Sequence, residues 1–333
     1  MMKKFLVFMG FVGSLGLLQA QQDPQFTVGQ YHGLAYQNPA VVGSHDAICA
    51  TLVGRLQWVG FGGEPSTFLF TAQTPLEKFG SHGLGLTVMS DNLGQENTMV
   101  AKFQYAYKLR NIGGGPGTLS LGLGLGYISK TLGSDWVASQ GTIDDIYIPD
   151  NGASEGGFDM DFGIYYKIPK KLSIGLSSTH LSASKFNSTL EDKVLNGDSK
   201  QFNYQIDRTY YISAQYEQPI SSDGAWVLKP GLFVKSDMAS SVFSLGALAD
   251  YEEKFFGGLH YRVQDAVALM LGANFQMNGE NAGGGMLKVG YSYDFTTSNI
   301  RNFSSGSHEL YVRYCFSLSS QPKEEEHHTV RFL

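Results

Sequence analysis

Long runs in which apolar residues alternate one by one with polar or small ones constrain this chain more than any other feature. In "TLSLGLGLGYIS", Leu119, Leu121, Leu123, Leu125 and Tyr127 share one face, and Ser120, Gly122, Gly124 and Gly126 share the other. In "GFDMDFGIYYKI", Phe158, Met160, Phe162, Ile164, Tyr166 and Ile168 oppose Asp159, Asp161, Gly163, Tyr165 and Lys167. "MLKVGYSYDF" sets Leu287, Val289, Tyr291 and Tyr293 against Lys288, Ser292 and Asp294. A period of two is that of a β-strand with unlike faces. Strands of soluble sandwiches alternate too, but average about five or six residues. Runs of about ten residues have the length that crosses a bilayer at a tilt.

About fourteen such runs are present, an even number of the kind that closes a bacterial barrel. They centre on 47–60, 67–75, 82–91, 95–108, 117–130, 157–168, 171–181, 203–217, 224–236, 240–250, 253–263, 265–276, 282–294 and 308–318. The expected fold is all-β: a transmembrane antiparallel β-barrel over 47–318. Pro230 inside the ninth run should remove a ladder hydrogen bond or mark a bulge. With both termini on the periplasmic side, the three longest connections, 131–156, 182–202 and 295–307, all fall on the external side. Long outside and short inside is the habit of outer-membrane barrels.

The ends of the chain agree with export. Met1-Met2-Lys3-Lys4, the apolar run Phe5 to Leu18, and Ala20 form a basic region, a hydrophobic region and a small residue before a cut, so 1–20 is expected to be a cleaved signal peptide. The apolar run is too short for an ordinary membrane-spanning helix, and no other run approaches that length, which excludes a helical membrane protein. The formal charge is −6, and −8 once Lys3 and Lys4 are removed. No basic patch stands out, so no nucleic-acid partner is expected. Outer-membrane lipids are the expected surroundings. Charged residues are 16%, against the usual ~25%, and the 41 glycines exceed the usual share; both suit a barrel. Residues 319–333 are expected to be a periplasmic tail.

Closure pairs the first strand with the last. In the first, Ile48, Ala50, Leu52, Leu56 and Trp58 would face lipid, and Cys49, Thr51, Arg55 and Gln57 the lumen. In the last, Leu310, Val312, Tyr314, Phe316 and Leu318 face lipid, and Glu309, Tyr311, Arg313 and Cys315 face inward. The chain's two cysteines, Cys49 and Cys315, should therefore lie close together near the periplasmic end. A disulfide and a pair of unbonded thiols on neighbouring strands are both open. Asp159, Asp161, Lys167 and Lys288 join Arg55, Glu309 and Arg313 as lumen-facing charges. Arg55 needs a partner in such a place, and Glu309 is one candidate.

Two motifs carry a resemblance. The first is "QQDPQFTVGQYHGLAYQNPAVVGS", with Gln22-Asp23-Pro24-Gln25-Phe26 and then Asn38-Pro39-Ala40 with Gly43. The second holds Arg55, Gln57-Trp58, Gly60-Phe61, the Gly63-Glu64-Pro65-Ser66-Thr67 turn and Thr71 to Leu76. Together with the ending Val330 to Leu333, they resemble the PorP/SprF family of outer-membrane proteins in the type IX secretion and gliding machinery of Bacteroidetes. The acidic Glu324-Glu325-Glu326-His327-His328 departs from the more basic family tail. The resemblance implies a non-enzymatic outer-membrane barrel that assists export or cell-surface attachment of particular secreted proteins. Its implied partners are a secreted cargo protein or adhesin and other parts of the secretion machine.

Read from its own residues, 21–46 has two options: to hang free, or to pack into the periplasmic opening as a partial plug. Phe26, Tyr31 and Tyr36 are too aromatic for a free linker, and Asn38-Pro39-Ala40 reads as a turn. Trp58 and Phe61 suit the membrane interface at the outer end of the first strand. Gly60, Gly62, Gly63 and Pro65 suit a tight loop there. No catalytic constellation, metal spacing or phosphate loop is present: "LGLGLG" lies within a strand, and no cofactor is expected. The acidic segment with Asp144, Asp145, Asp150, Glu155, Asp159 and Asp161 lacks calcium-loop spacing and reads as a solvated loop. The cargo reading would use the lumen and the loops 131–156 and 182–202. The rival is a pore for small solutes, since barrels of this size need not be filled.

Overall fold

A computed structural model of the chain describes residues 23–45, 47–60, 62–76, 81–134, 152–195, 198–277 and 284–317, with backbone alone over 186–195 and 198–203. The expected signal peptide 1–20, the tail 319–333, Phe61, Asp144, Asp145 and Asp150 lie outside these residues. Seven strands come first: β1 Ala47–Leu56, β2 Ser66–Leu76, β3 His82–Leu93, β4 Glu96–Ile112, β5 Gly117–Leu132, β6 Ala153–Ile168 and β7 Leu172–Thr179. A separate hairpin, β8 Lys185–Leu195 with β9 Asp198–Gln205, follows. Then come β10 Thr209–Tyr216, the two-residue β11 Gln218–Pro219, β12 Trp226–Ser236, β13 Ser241–Tyr251, β14 Phe255–Arg262, β15 Ala266–Met277, β16 Gly285–Thr296 and β17 Ser307–Ser317.

All pairings are antiparallel neighbours in sequence, except that β10 pairs with β7 across the hairpin and with β12 across β11, and β1 pairs with β17. The result is a closed barrel of fourteen strands. None of the described residues forms a helix long and apolar enough to cross a membrane. One rim carries Ala47 and Ser317 and is called the terminal end here; the other is the loop end. The strand ends that flank 133–152, 180–208 and 297–306 all lie at the loop end.

Several boundaries differ from the sequence reading, for local reasons. The first run was expected to extend to 60, but β1 stops at Leu56 because Trp58 adopts a left-handed φ of 55° that breaks the strand. The eighth run was expected over 203–217; its first residues instead belong to hairpin strand β9, and the wall strand β10 starts at Thr209. Pro230 causes no register shift against β13. On its other side it falls in the gap between the residues paired with β10 and those paired with β11, so its missing N–H breaks no pairing there.

Outward residues such as Leu52, Phe103, Leu125, Phe162 and Leu310 are exposed, and the alternate residues turn inward. Register stacks the inward residues of neighbouring strands into rows. Tyr311, Val53, Leu69, Met89, Val100 and Ile128 are direct cross-strand partners in succession, and all are buried. They form an apolar belt inside the barrel. One step towards the loop end, the row is Glu309, Arg55, Thr67, Asp91, Thr98 and Lys130. One step the other way it is Arg313, Thr51, Thr71, Thr87 and Lys102. An apolar belt flanked by polar rows is not the lining of a water-filled pore, and it requires something apolar to cover it.

Candidate functional site

Residues 23–45 cover it. Their composition suggested packing at one mouth only; instead they run the height of the lumen. Asp23 sits near the loop end, where its carboxylate accepts from Tyr211 Oη at 2.6 Å and from His180 Nε2 at 3.1 Å. Thr27 follows beside Glu309, then Tyr31 against Phe233 and His260. The Ala35 carbonyl accepts from Gln104 Nε2 at 2.6 Å. At the terminal end, Gly43 N donates to Gln73 Oε1 at 3.0 Å, Lys108 Nζ donates to the Gly43 carbonyl, and Lys167 Nζ donates to the Ser44 carbonyl at 3.4 Å. Phe26, Val28, Leu34 and Tyr36 are buried in one cluster with the belt residues Val53, Leu69, Met89, Val100 and Ile128.

The Asn38-Pro39-Ala40 motif is the segment's footing. Asn38 caps a one-turn 3-10 helix over Pro39–Val41: its Oδ1 accepts from Ala40 N at 2.9 Å, and its Nδ2 donates to the Ile164 carbonyl at 3.0 Å. Pro39 occupies the first helical position, where its absent N–H costs nothing. This turn lies flat against glycines of the wall. A Cβ at Gly122 would land on the backbone of Pro39 and Ala40, and one at Gly163 on the Asn38 side-chain oxygen. Gly122 of "LGLGLG" and Gly163 on the neighbouring strand are therefore a floor for the plug.

Two buried ion networks fasten the loop-end half. In the first, Arg55 reaches Asp294 at 2.7 Å and Glu309 at 3.3 Å. Arg262 bridges Asp265 at 2.7 Å and Asp294 at 3.3 Å. Glu309 also accepts from the backbone N–H groups of Thr27 at 2.6 Å and Gly29 at 3.0 Å, which ties the plug to the last strand. In the second, Lys102 reaches Asp159 and Asp161, each at 2.7 Å. Asp159 also meets His180 Nδ1 at 2.7 Å, and the other ring nitrogen faces Asp23. Asp159 and Asp161 are thus buried members of a charge network on the inward face of β6, as their alternation with Phe158, Met160 and Phe162 implied, and do not belong to the solvated acidic loop in which the sequence reading also counted them. Burial alone would lift the Asp23 carboxyl and depress the His180 imidazole. Their mutual attraction, with Lys235 and Tyr211 beside Asp23, instead holds Asp23 well below the usual carboxylate range and raises His180 to about 9.

The hairpin covers the loop-end mouth. Ile206 at its base joins the plug cluster, with Tyr204 packed against it and Lys130 Nζ 3.8 Å from the Tyr204 ring centroid. At the same end, the backbone N–H groups of Trp58 and Val59 bond to Ser307 Oγ and the Gly306 carbonyl, and Gln57 N bonds to the Pro65 carbonyl. The motif residues Gln57, Trp58, Gly60 and Pro65 therefore shape the connection beside the closing seam. Along that seam Cys49 faces Cys315 with 4.1 Å between Cα atoms, and the two form a disulfide.

Lys167, Lys288 and Arg313 lie apart from both networks, in the terminal-end half. Arg313 bonds to Thr51 Oγ1, His45 Nε2 and the His32 carbonyl, and Lys288 Nζ sits 5.4 Å from the Phe256 ring centroid. Sequence reasoning missed Lys102, His180, Arg262 and the Asp23 anchor. Alternation alone would have turned Lys102 inward with Asp159. Nothing in the sequence brings the post-strand His180 over them. No group of His, Cys, Asp and Glu able to hold a metal occurs among the described residues.

Comparison with known proteins gives a family match over residues 18–314, to the family described as type IX secretion system membrane protein PorP/SprF. No curated protein matches the chain. Among solved structures, it is similar to the CymD monoaromatic hydrocarbon channel, at 12% identity and a TM-score of 0.47, covering 87% of this chain and 93% of that one. The Ralstonia pickettii toluene transporter TbuX gives 13% identity and a TM-score of 0.48, over 84% and 92% of the two chains. A Pseudomonas aeruginosa FadL homologue gives 12% and 0.49, over 85% and 92%. At such identities and scores these likenesses bear on no activity.

Proposed function

Because the chain belongs to the PorP/SprF family of type IX secretion system membrane proteins, we propose that this outer-membrane barrel is an adaptor for secretion. It binds a domain of a particular secreted protein, such as an adhesin, at its loop-end face, and assists that protein's export or attachment to the cell surface. The other components of the machine and the surrounding lipids are its remaining partners. In this reading the loop end is external, as the long connections of outer-membrane barrels are.

The observation that carries the reading is the path of residues 23–45. A lumen filled by the chain's own segment, cross-linked to the wall through Asp23, Thr27, Asn38 and Gly43, leaves the surface as the place for a partner. The hairpin β8–β9, between β7 and β10, supplies part of that surface.

Gentle purification from the native membrane, followed by identification of what accompanies the barrel, tests this. The expected outcome is one large secreted protein retained in stoichiometric amount, with reconstituted barrels electrically silent. Steady single-channel conductance, together with normal secretion after deletion of the gene, would replace the adaptor with a small-solute pore.

A further inference from the structure

The plug fits the two sides of the wall differently. Against β3, β5 and β6 it lies in contact: a Cβ at Gly83 would meet the backbone of Val42, and one at Gly122 that of Pro39 and Ala40. Towards β7, β10 and β12 a cavity of about 220 Å³ stands between plug and wall, with room for several waters. Its lining on β12 runs from Lys229 to Lys235, about 20 Å of height. It reaches the terminal rim at Ser44, Leu172 and Glu217, where Glu217 is still partly exposed. Phe233 and Leu248 add apolar surface, but Ser173, Ser213 and Gln215 border the space from the wall, and Gln30, His32 and Gln37 from the plug. The buried Gln30 Oε1 and His32 Nε2 have no hydrogen-bond partner among the described residues. Buried polar atoms beside a roomy polar cavity are satisfied by water. This side of the lumen is therefore a hydrated space, unlike the apolar belt on the wall opposite.

Towards the loop end the cavity stops at a clasp. Tyr211 Oη donates to the Asp23 carboxylate at 2.6 Å, and Lys235 Nζ donates to the Asp23 carbonyl at 2.7 Å and the Pro24 carbonyl at 3.4 Å. Tyr211, Lys235 and Pro24 all border the cavity. Beyond them a smaller cavity of about 20 Å³ lies at the hairpin base, lined by Asp23, Pro24, His180 and Ile206 among others. Pro24 borders both spaces, so the partition between them is the plug itself at Asp23 and Pro24. We propose that this side of the lumen is a passage for water and small hydrophilic solutes, gated by the clasp of Tyr211 and Lys235 on Asp23 and Pro24. The passage is too small for a protein domain, and while the clasp holds, the barrel passes no current. It adds a function to the adaptor reading and does not depend on it.

Cysteine labelling of the full barrel in detergent tests the passage. Ser213→Cys, on the cavity, should react with a small charged methanethiosulfonate at least tenfold faster than Thr87→Cys, which turns inward but is buried on the packed side. Equal rates at the two positions overturn the passage. Conductance in planar bilayers tests the gate. A barrel carrying Asp23→Ala and Lys235→Met, its fold checked by heat-modifiable migration, should open steadily where the parent is silent. The same reagent on Ser213→Cys in that background should at least halve the current. A double variant as silent as the parent overturns the gate. So does a current that the reagent leaves unchanged, because ions then pass elsewhere. Neither readout involves a secreted protein, so failure here leaves the adaptor reading standing, and failure of that reading leaves the passage.

Discussion

The two halves of the lumen are built on opposite principles. Towards the loop end, Arg55, Lys102, Lys130 and Arg262 each lie within ion-pairing distance of a carboxylate, and the carboxylates take further hydrogen bonds from the plug. Towards the terminal end, Arg313 borders a cavity, and among the described residues neither it nor its cross-strand partner Lys288 has a carboxylate within ion-pairing distance. The first half is a fastening. Its charges lock one chain segment in one place, because any displacement leaves them unpaired where water is scarce. In the second half, Arg313 bonds instead to a hydroxyl, an imidazole and a carbonyl.

Breaking a fastening charge should have the largest effect. Lys102→Met strands Asp159 and Asp161 beside each other, and Arg55→Leu strands Asp294 and Glu309. Each should cost about 3–5 kcal/mol of stability, as loss of one partner from a buried network does, read from urea unfolding of the barrel in detergent or bilayers. If either change were neutral, the two halves would not differ as described. Overpacking the floor comes next. Gly122→Leu forces the Asn38-Pro39-Ala40 turn off the wall, at about 1–3 kcal/mol, and should expose 25–36 to rapid limited proteolysis and raise single-channel conductance. The unaltered barrel should resist cutting between Gln25 and Tyr36; rapid cleavage there would show a plug held far more loosely than its contacts imply.

Acidity offers a gentler probe of the same fastening. His180 is raised above its unfolded value of about 6.5, so its stabilising contribution is complete below that pH. It is lost as the pH climbs through about 9. Asp23 is depressed, so its share is present above pH ~4 and fades only in strong acid. Protection of the plug backbone in hydrogen exchange, corrected for intrinsic rates, should thus fall between pH 7 and 10. A His180→Gln variant should show no such fall. The smallest effect belongs to the terminal-end half. Lys288→Met should leave unfolding within about 0.5 kcal/mol of the parent, or slightly stabilise it. A loss matching that of Lys102→Met would reveal a hidden partner and erase the contrast.

Much of the wall could be read from the residues. Strict alternation separated Leu52 and Leu310 from Arg55 and Glu309, and the closing pair brought Cys49 near Cys315, with the register that sets them face to face left to the structure. The motif Asn38-Pro39-Ala40 was visible as a turn, and the inward glycines of "LGLGLG" as part of a strand. Their relation was not visible. That the turn lies on Gly122 and Gly163 depends on where a segment outside the wall crosses it, which strand periodicity does not encode. The hairpin β8–β9 was hidden for another reason: it occupies a stretch counted as loop, and its second strand was absorbed into the wall strand that follows.

The sequence by itself determined the two faces of each strand, the number of strands and the partner that closes the sheet, because a two-residue period assigns every side chain to lipid or lumen. Only the tertiary structure decided height. Register lines Val53, Leu69, Met89, Val100 and Ile128 into an apolar belt with charged rows on either side. The burial of that belt and the pairing of Arg55, Lys102 and His180 then select the path of residues 23–45. Such contacts join residues hundreds of positions apart, and their energies exist only once the cylinder has closed.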